Sequence, residues 1–129
     1  MGDKAAVRTE AAPAPFQGAP YSQAIVANGF VYVSGQIALR PGHGELAGAT
    51  IEEQTEQVFA NLAAILAEAG IGLDRLVKTT VFLANFDDFQ RMNSVYATKV
   101  GDTPPARATV EVSRLPSGAL VEIEAVAVL

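Results

Sequence analysis

The segment from Thr103 to Ala125 constrains the fold most, because much of it repeats every two residues. Arg107, Thr109 and Glu111 alternate with Ala108, Val110 and Val112, and Glu122 and Glu124 alternate with Val121, Ile123 and Ala125. A period of two belongs to a strand with one face toward a core. Two strands are therefore predicted, Ala106 to Ser113 and Ala119 to Val128, with Arg114-Leu115-Pro116-Ser117-Gly118 turning between them. Paired as an antiparallel hairpin, odd residues against even, they would bring Arg107, Glu122 and Glu124 onto one face. A guanidinium beside carboxylates on rigid strands can bind a small carboxylic acid and position a water. It can equally be a structural ion pair, and the hairpin alone favours that plainer role.

The remaining segments supply partners for this hairpin. Leu76-Val77-Lys78-Thr79-Thr80-Val81-Phe82-Leu83 is nearly continuous in apolar and β-branched residues, which predicts a central strand covered on both faces. Lys78 is its misfit; it snorkels to the sheet edge, pairs with a carboxylate, or contacts substrate. Thr50 with Glu53 three residues on forms a capping box, and the helical spacing of Ile51, Thr55, Val58, Leu62 and Ile65 carries a helix to about Ala69, stopped by Gly70. A second helix is predicted from Phe86 or Asp87 to Thr98, with Phe89, Met92 and Tyr96 in its buried stripe. Asn93 falls within that stripe, where an amide needs partners or faces a pocket. Upstream, Asn28-Gly29 between Ser22 to Ala27 and Phe30 to Ser34 predicts a hairpin with a type I′ turn. Gly35 just beyond marks a bulge or a close approach.

The expected order is β-β-α-β-α-β-β: an α+β fold with two helices on one face of a mixed sheet. The other face still carries Val, Phe and Thr and is expected to lie against another subunit. Residues 1–15, rich in Ala and Pro, are expected to be a flexible tail ahead of a single domain at 16–129.

Composition narrows the chemistry. A net charge of −5 over 129 residues argues against a broad electrostatic grip on nucleic acid. The chain has no cysteine and one histidine, His43, in the glycine-flanked loop Arg40 to Glu45. A thiolate nucleophile or thiolate metal site is excluded, a transition-metal site is not expected, and His43 is expected to be a solvated loop tip. No apolar run suggests a membrane span or a signal peptide, so a soluble, cytoplasmic protein is expected.

Taken together, the segments resemble the RidA (YjgF) family. The resemblance is carried by Gly18-Ala19-Pro20-Tyr21-Ser22-Gln23-Ala24, Val33-Ser34-Gly35-Gln36-Ile37, Gln54 to Leu62, Val77 to Leu83, Met92-Asn93-Ser94-Val95-Tyr96, Pro105-Ala106-Arg107 to Val112 and Val121-Glu122 to Ala127. The match runs from about Pro15 to the last residue, with the motifs in the family's order. It implies a fold like that of the trimeric chorismate mutases, a homotrimer with pockets between subunits, and hydrolysis of 2-imino and enamine acids to 2-oxo acids and ammonia without a cofactor. It implies that Arg107 grips the substrate carboxylate and that Glu122 positions or activates the water. Tyr21, Ser34, Gly35 and Asn93 would line the pocket, with Tyr21 and Glu122 reaching Arg107 from different subunits. Lys78 matches a family position without an assigned role. The chain departs from the family's pattern in a short link from Tyr96 to Arg107, in Thr98-Lys99 where an aromatic pair is usual, and in Thr109 where many relatives carry cysteine. Two other classes stay open: a trimer that senses 2-oxo acids without turnover, and an endoribonuclease, an activity attributed to some relatives.

Overall fold

Residues 3–129 are described by a computed structural model. Six strands form one sheet: β1 (Ala5–Val7), β2 (Ala24–Ala27), β3 (Phe30–Gln36), β4 (Leu76–Leu83), β5 (Ala106–Glu111) and β6 (Val121–Val128). Their spatial order is β1-β2-β3-β6-β4-β5, with every pairing antiparallel except β4 with β5. Two helices, α1 (Ile51–Glu68) and α2 (Phe89–Tyr96), complete the α+β architecture. Neither helix is long and apolar enough to cross a membrane.

Local signals are realised where the sequence is explicit. Thr50 Oγ1 accepts from the Glu53 amide at 3.1 Å, and Glu53 accepts back from the Thr50 amide at 3.2 Å. This capping box satisfies two donors that the first turn of α1 leaves free. Gly70, at φ +86°, follows the helix in the left-handed conformation that ends it. Asn28 and Gly29, at φ 51° and 84°, make the turn between β2 and β3. The second helix is shorter than predicted: a 3-10 turn over Phe86–Asp88 leads into α2, which ends at Tyr96.

The core lies between the helices and one sheet face. Val58, Leu62 and Ile65 of α1 and Met92 of α2 are buried with Val31 of β3, Val81 and Leu83 of β4, and Val121 and Ile123 of β6. Removing such solvent-exposed apolar area is the main favourable term in folding. Two amides tie α1 to the loops around the sheet. Asn61 donates to the Ile37 and Leu39 carbonyls at 3.2 and 3.0 Å, and Gln54 accepts from the Leu120 amide at 2.9 Å.

Two expectations are corrected. The predicted C-terminal hairpin does not form: β4 lies between β5 and β6 and pairs with both. The link over residues 112–120 is long enough to step across the two strand spacings, each about 4.8 Å, that separate β5 from β6. It is held in passing, with the Val112 amide on the Leu83 carbonyl at 2.9 Å and Leu115 and Ala119 buried against Ile37 and Leu39. A tight two-residue turn would have enforced pairing; this link does not. Within residues 1–15, expected as a flexible tail, Ala5–Val7 forms an edge strand on β2, and Val7 and Ala12 are buried. Buried Gln23 holds this segment, accepting from the Thr9 amide at 2.7 Å and donating to the Thr9 and Pro13 carbonyls at 3.0 and 2.8 Å.

Candidate active site

Between β3 and β6 the register slips by one residue: Val33 pairs with Ala125, but Gln36 pairs with Ile123. The extra residue is absorbed at Ser34-Gly35, a β-bulge that bends the strand. The bulge opens one side of a cleft of about 450 Å³, into which Glu122 of β6 projects. Gly35 lets the Glu122 side chain pack directly over its backbone: an added Cβ would stand 2.9 Å from the Glu122 carboxyl carbon and 3.2 Å from its Cγ.

Four of the six predicted site residues, Tyr21, Ser34, Gly35 and Glu122, line this cleft. Tyr21 is exposed, and its Oη accepts from the Phe16 amide at 2.6 Å. That bond secures the turn in which Gln17 takes φ 52°. The Ser34 hydroxyl donates to the Ser22 carbonyl at 2.6 Å and so fixes the approach to β2. Glu122 is partly buried, and its pKa is raised, first by burial and then by the charge of Glu124 two residues along the strand. Glu124, which the resemblance gives no site role, lines the same cleft.

Arg107 and Asn93 lie elsewhere. Arg107 on β5 pairs with Thr79 of β4, whereas Glu122 pairs with Phe82. Thr79 and Phe82 are three residues apart on one strand and face opposite sides, so Arg107 stands on the helix side and Glu122 on the other. Alternation along the two strands identified polar faces but not which side of the sheet each would take, and the intervening β4 sets that.

A helix stripe builds the surroundings of Arg107. Phe89, Asn93 and Tyr96 recur at helical spacing on α2, and the guanidinium carbon lies 4.6 Å from the Tyr96 ring centroid and 5.6 Å from that of Phe89. Tyr96 is itself held by a 2.6 Å bond to Thr79 and an edge-on contact with Phe59. Two rings beneath a cation hold it without neutralising it. Among the described residues no carboxylate forms an ion pair with Arg107. Asn93 Oδ1 and Thr109 Oγ1 are buried without hydrogen-bond partners. The aromatic platform was missed as a functional feature; its signal was the placement of Phe89, Asn93 and Tyr96 on one stripe. Lys78 is exposed on the sheet face opposite the helices, with only a 3.4 Å bond to Thr80. His43 is exposed in its loop, between Gly42 and Gly44 at positive φ. No cluster of three or more potential metal-ligating side chains occurs among the described residues.

A family model described as endoribonuclease L-PSP matches residues 9–129. A RutC family protein of Pyrococcus abyssi is 48% identical over 124 residues, covering 96% of each chain. The 2-iminobutanoate/2-iminopropanoate deaminase of Mus musculus is 43% identical over 122 residues, 95% of this chain and 89% of the mouse protein. Among solved structures, YyfA of Yersinia pestis, assigned to the Rid protein family, superposes with a TM-score of 0.93 at 47% identity, covering 98% and 100% of the two chains. E. coli TdcF with bound serine superposes with a TM-score of 0.90 at 34% identity, covering 97% and 98%.

Proposed function

Because the chain belongs to the endoribonuclease L-PSP family, which takes in the RidA proteins, we propose that it hydrolyses reactive 2-imino and enamine acids to 2-oxo acids and ammonia. The observation that carries this is the unneutralised Arg107 guanidinium, fixed over two rings with buried, unpartnered polar atoms on Asn93 and Thr109 nearby in the fold. A planar carboxylate is the natural occupant of such a fork, taken through two parallel hydrogen bonds. Serine, bound by E. coli TdcF on the same fold, is a small amino acid that also carries a carboxylate.

Arg107 and Glu122 lie on opposite faces of one sheet, so a site using both is completed by a second chain. The homotrimer implied by the resemblance supplies that chain, with Tyr21, Ser34, Gly35 and Glu122 brought to the Arg107 and Asn93 of a neighbour. With the carboxylate on Arg107, the iminium carbon is presented to a water held by Glu122. The water oxygen bonds to that carbon and a water proton passes to Glu122. The C=N pair moves to nitrogen, and Glu122 returns its proton to that nitrogen. The C–N bond then breaks with its electrons leaving on ammonia, and the hydroxyl proton passes back to Glu122, leaving the 2-oxo acid. An iminium carbon is already electrophilic, so no covalent nucleophile or cofactor is required. Partial burial keeps Glu122 able to return a proton. An RNA substrate is disfavoured by the same cleft, where Glu122 would repel phosphate in a chain of net charge −5.

The test is the decay of 2-iminopropanoate generated in situ. The wild type is expected to accelerate it and Arg107→Ala to lose that acceleration. No acceleration over buffer, or equal activity in the variant, would overturn the assignment. Calorimetric binding of 2-oxobutanoate without acceleration would instead identify a sensor.

A further inference from the structure

The sheet face turned away from the helices carries charges that the chain itself leaves unpaired. Lys78 of β4 and Glu124 of β6 are both exposed and line one depression of about 210 Å³ with Tyr32, Thr80 and Val126. The register sets Lys78 opposite Val126 and Glu124 opposite Thr80, so the two are diagonal neighbours on one face. They nevertheless do not pair. Lys78 Nζ makes only its long bond to Thr80, and the ion pairs among the described residues are Arg91–Glu52, Arg91–Asp88 and Lys99–Glu56. The surrounding face is apolar and uncovered, with Tyr32 47% and Val110 42% exposed.

A second copy of this chain offers both things the face lacks: apolar area to cover it and an opposite charge for each unpaired group. We infer that Lys78 of each chain pairs with Glu124 of the next across this face, fixing the register in which Arg107 of one chain meets Glu122 of another. Charge pairs at an interface set register and reject misaligned partners more than they add affinity. The pairing requires the trimer proposed above. It gives Lys78 a positioning role: by neutralising Glu124 it removes the like charge that stands next to Glu122.

Sedimentation of the wild type, Lys78→Glu, Glu124→Lys and the double exchange provides the test, with the pH profile of imine hydrolysis measured on each. The wild type is expected at three times the chain mass. Each single variant sets like charges together at every contact and is expected to dissociate at a concentration at least tenfold higher, with the double exchange restoring assembly. Single variants that assemble like the wild type, as an intrachain pair would allow, overturn the inference, and so does a double exchange no better than the singles. Should the reversals not fold, Lys78→Met and Glu124→Gln replace them. Loss of the wild type's salt-dependent dissociation then supports the pair, and unchanged salt dependence overturns it. The pH profile adds a readout that mere interface stability would not move: Lys78→Met is expected to shift its acid limb upward. An assembled wild type that fails to hydrolyse imine refutes the deaminase alone; an active wild type whose single variants stay assembled refutes the pair alone. A monomeric wild type overturns the pair and the shared site together.

Discussion

Gly35→Ala offers a sharp test of the cleft because its effect can be worked from the geometry. The new Cβ would stand 2.9 Å from the Glu122 carboxyl carbon and 3.2 Å from Cγ, where ordinary carbon contacts are about 3.5–4.0 Å. The carboxylate must therefore swing away by roughly an ångström, a displacement that can cost about 100-fold in rate. The fold should tolerate the change. Crowding costs about 1–3 kcal/mol, while replacing glycine in an ordinary backbone conformation returns roughly 0.4–1 kcal/mol through the unfolded chain. The melting temperature is thus expected to fall by less than about 10 °C. Steady-state imine hydrolysis should show the loss mainly in kcat, since Arg107, which grips the carboxylate, is untouched. The decisive measurement is a double-mutant cycle. In a Glu122→Ala background the clashing atoms are gone, and Gly35→Ala should have little further effect on rate. Full activity in Gly35→Ala, or an equal loss in both backgrounds, would refute the steric reasoning.

Other outcomes follow from the same geometry. Glu122 has its pKa raised in the folded chain, which therefore binds that proton more tightly than the unfolded chain. Stability from this group is present below the unfolded value of about 4.3 and is lost as pH rises through the folded one. Glu122→Gln should accordingly melt higher than the wild type at pH 7, with the difference shrinking toward pH 4, while losing about 10²–10⁴-fold in hydrolysis; a gap independent of pH would count against this. Arg107→Lys keeps the charge but loses the planar fork, so kcat/KM should fall by about 10–100-fold with little change in thermal melting. Thr50→Ala removes the capping hydroxyl of α1 and should cost about 1 kcal/mol, read as a lower urea midpoint with an unchanged slope.

What the sequence made legible is what short stretches decide. Thr50 with Glu53, Asn28-Gly29 and Gly70 each act within a few residues, and each takes the structure its chemistry prescribes. Glycine inside the Phe30 to Ile37 pattern signals a bulge or a close approach, and Gly35 is both. Strand neighbours were not legible. Alternation along Ala106–Glu111 and Val121–Val128 assigns residues to faces but is silent on whether another strand intervenes. The continuous apolar character of Leu76–Leu83 was the available clue, since a strand covered on both faces seeks the sheet interior. Ala5–Val7 was overlooked because a three-residue edge strand has too short a pattern to register. Its anchor, Gln23, lies in another segment. For the candidate site, residue types and resemblance selected the groups, but the division of Arg107 from Glu122 depends on a register fixed only in three dimensions.

The position of β6 has a consequence for how the chain acquires its structure. This strand comes last in sequence yet lies inside the sheet, joining β3 to β4. Until it arrives, the two halves of the sheet have no shared partner, and strands destined for the interior present open edges to solvent. Such a topology carries high contact order, so loop closure precedes much of the reward and folding is slowed. During synthesis the helices and first strands emerge early but the sheet closes only after Val121–Val128 leaves the ribosome. A nascent chain arrested before Val121 should therefore remain protease-sensitive and prone to edge-to-edge association, and release of the final strand should convert it in a single cooperative step.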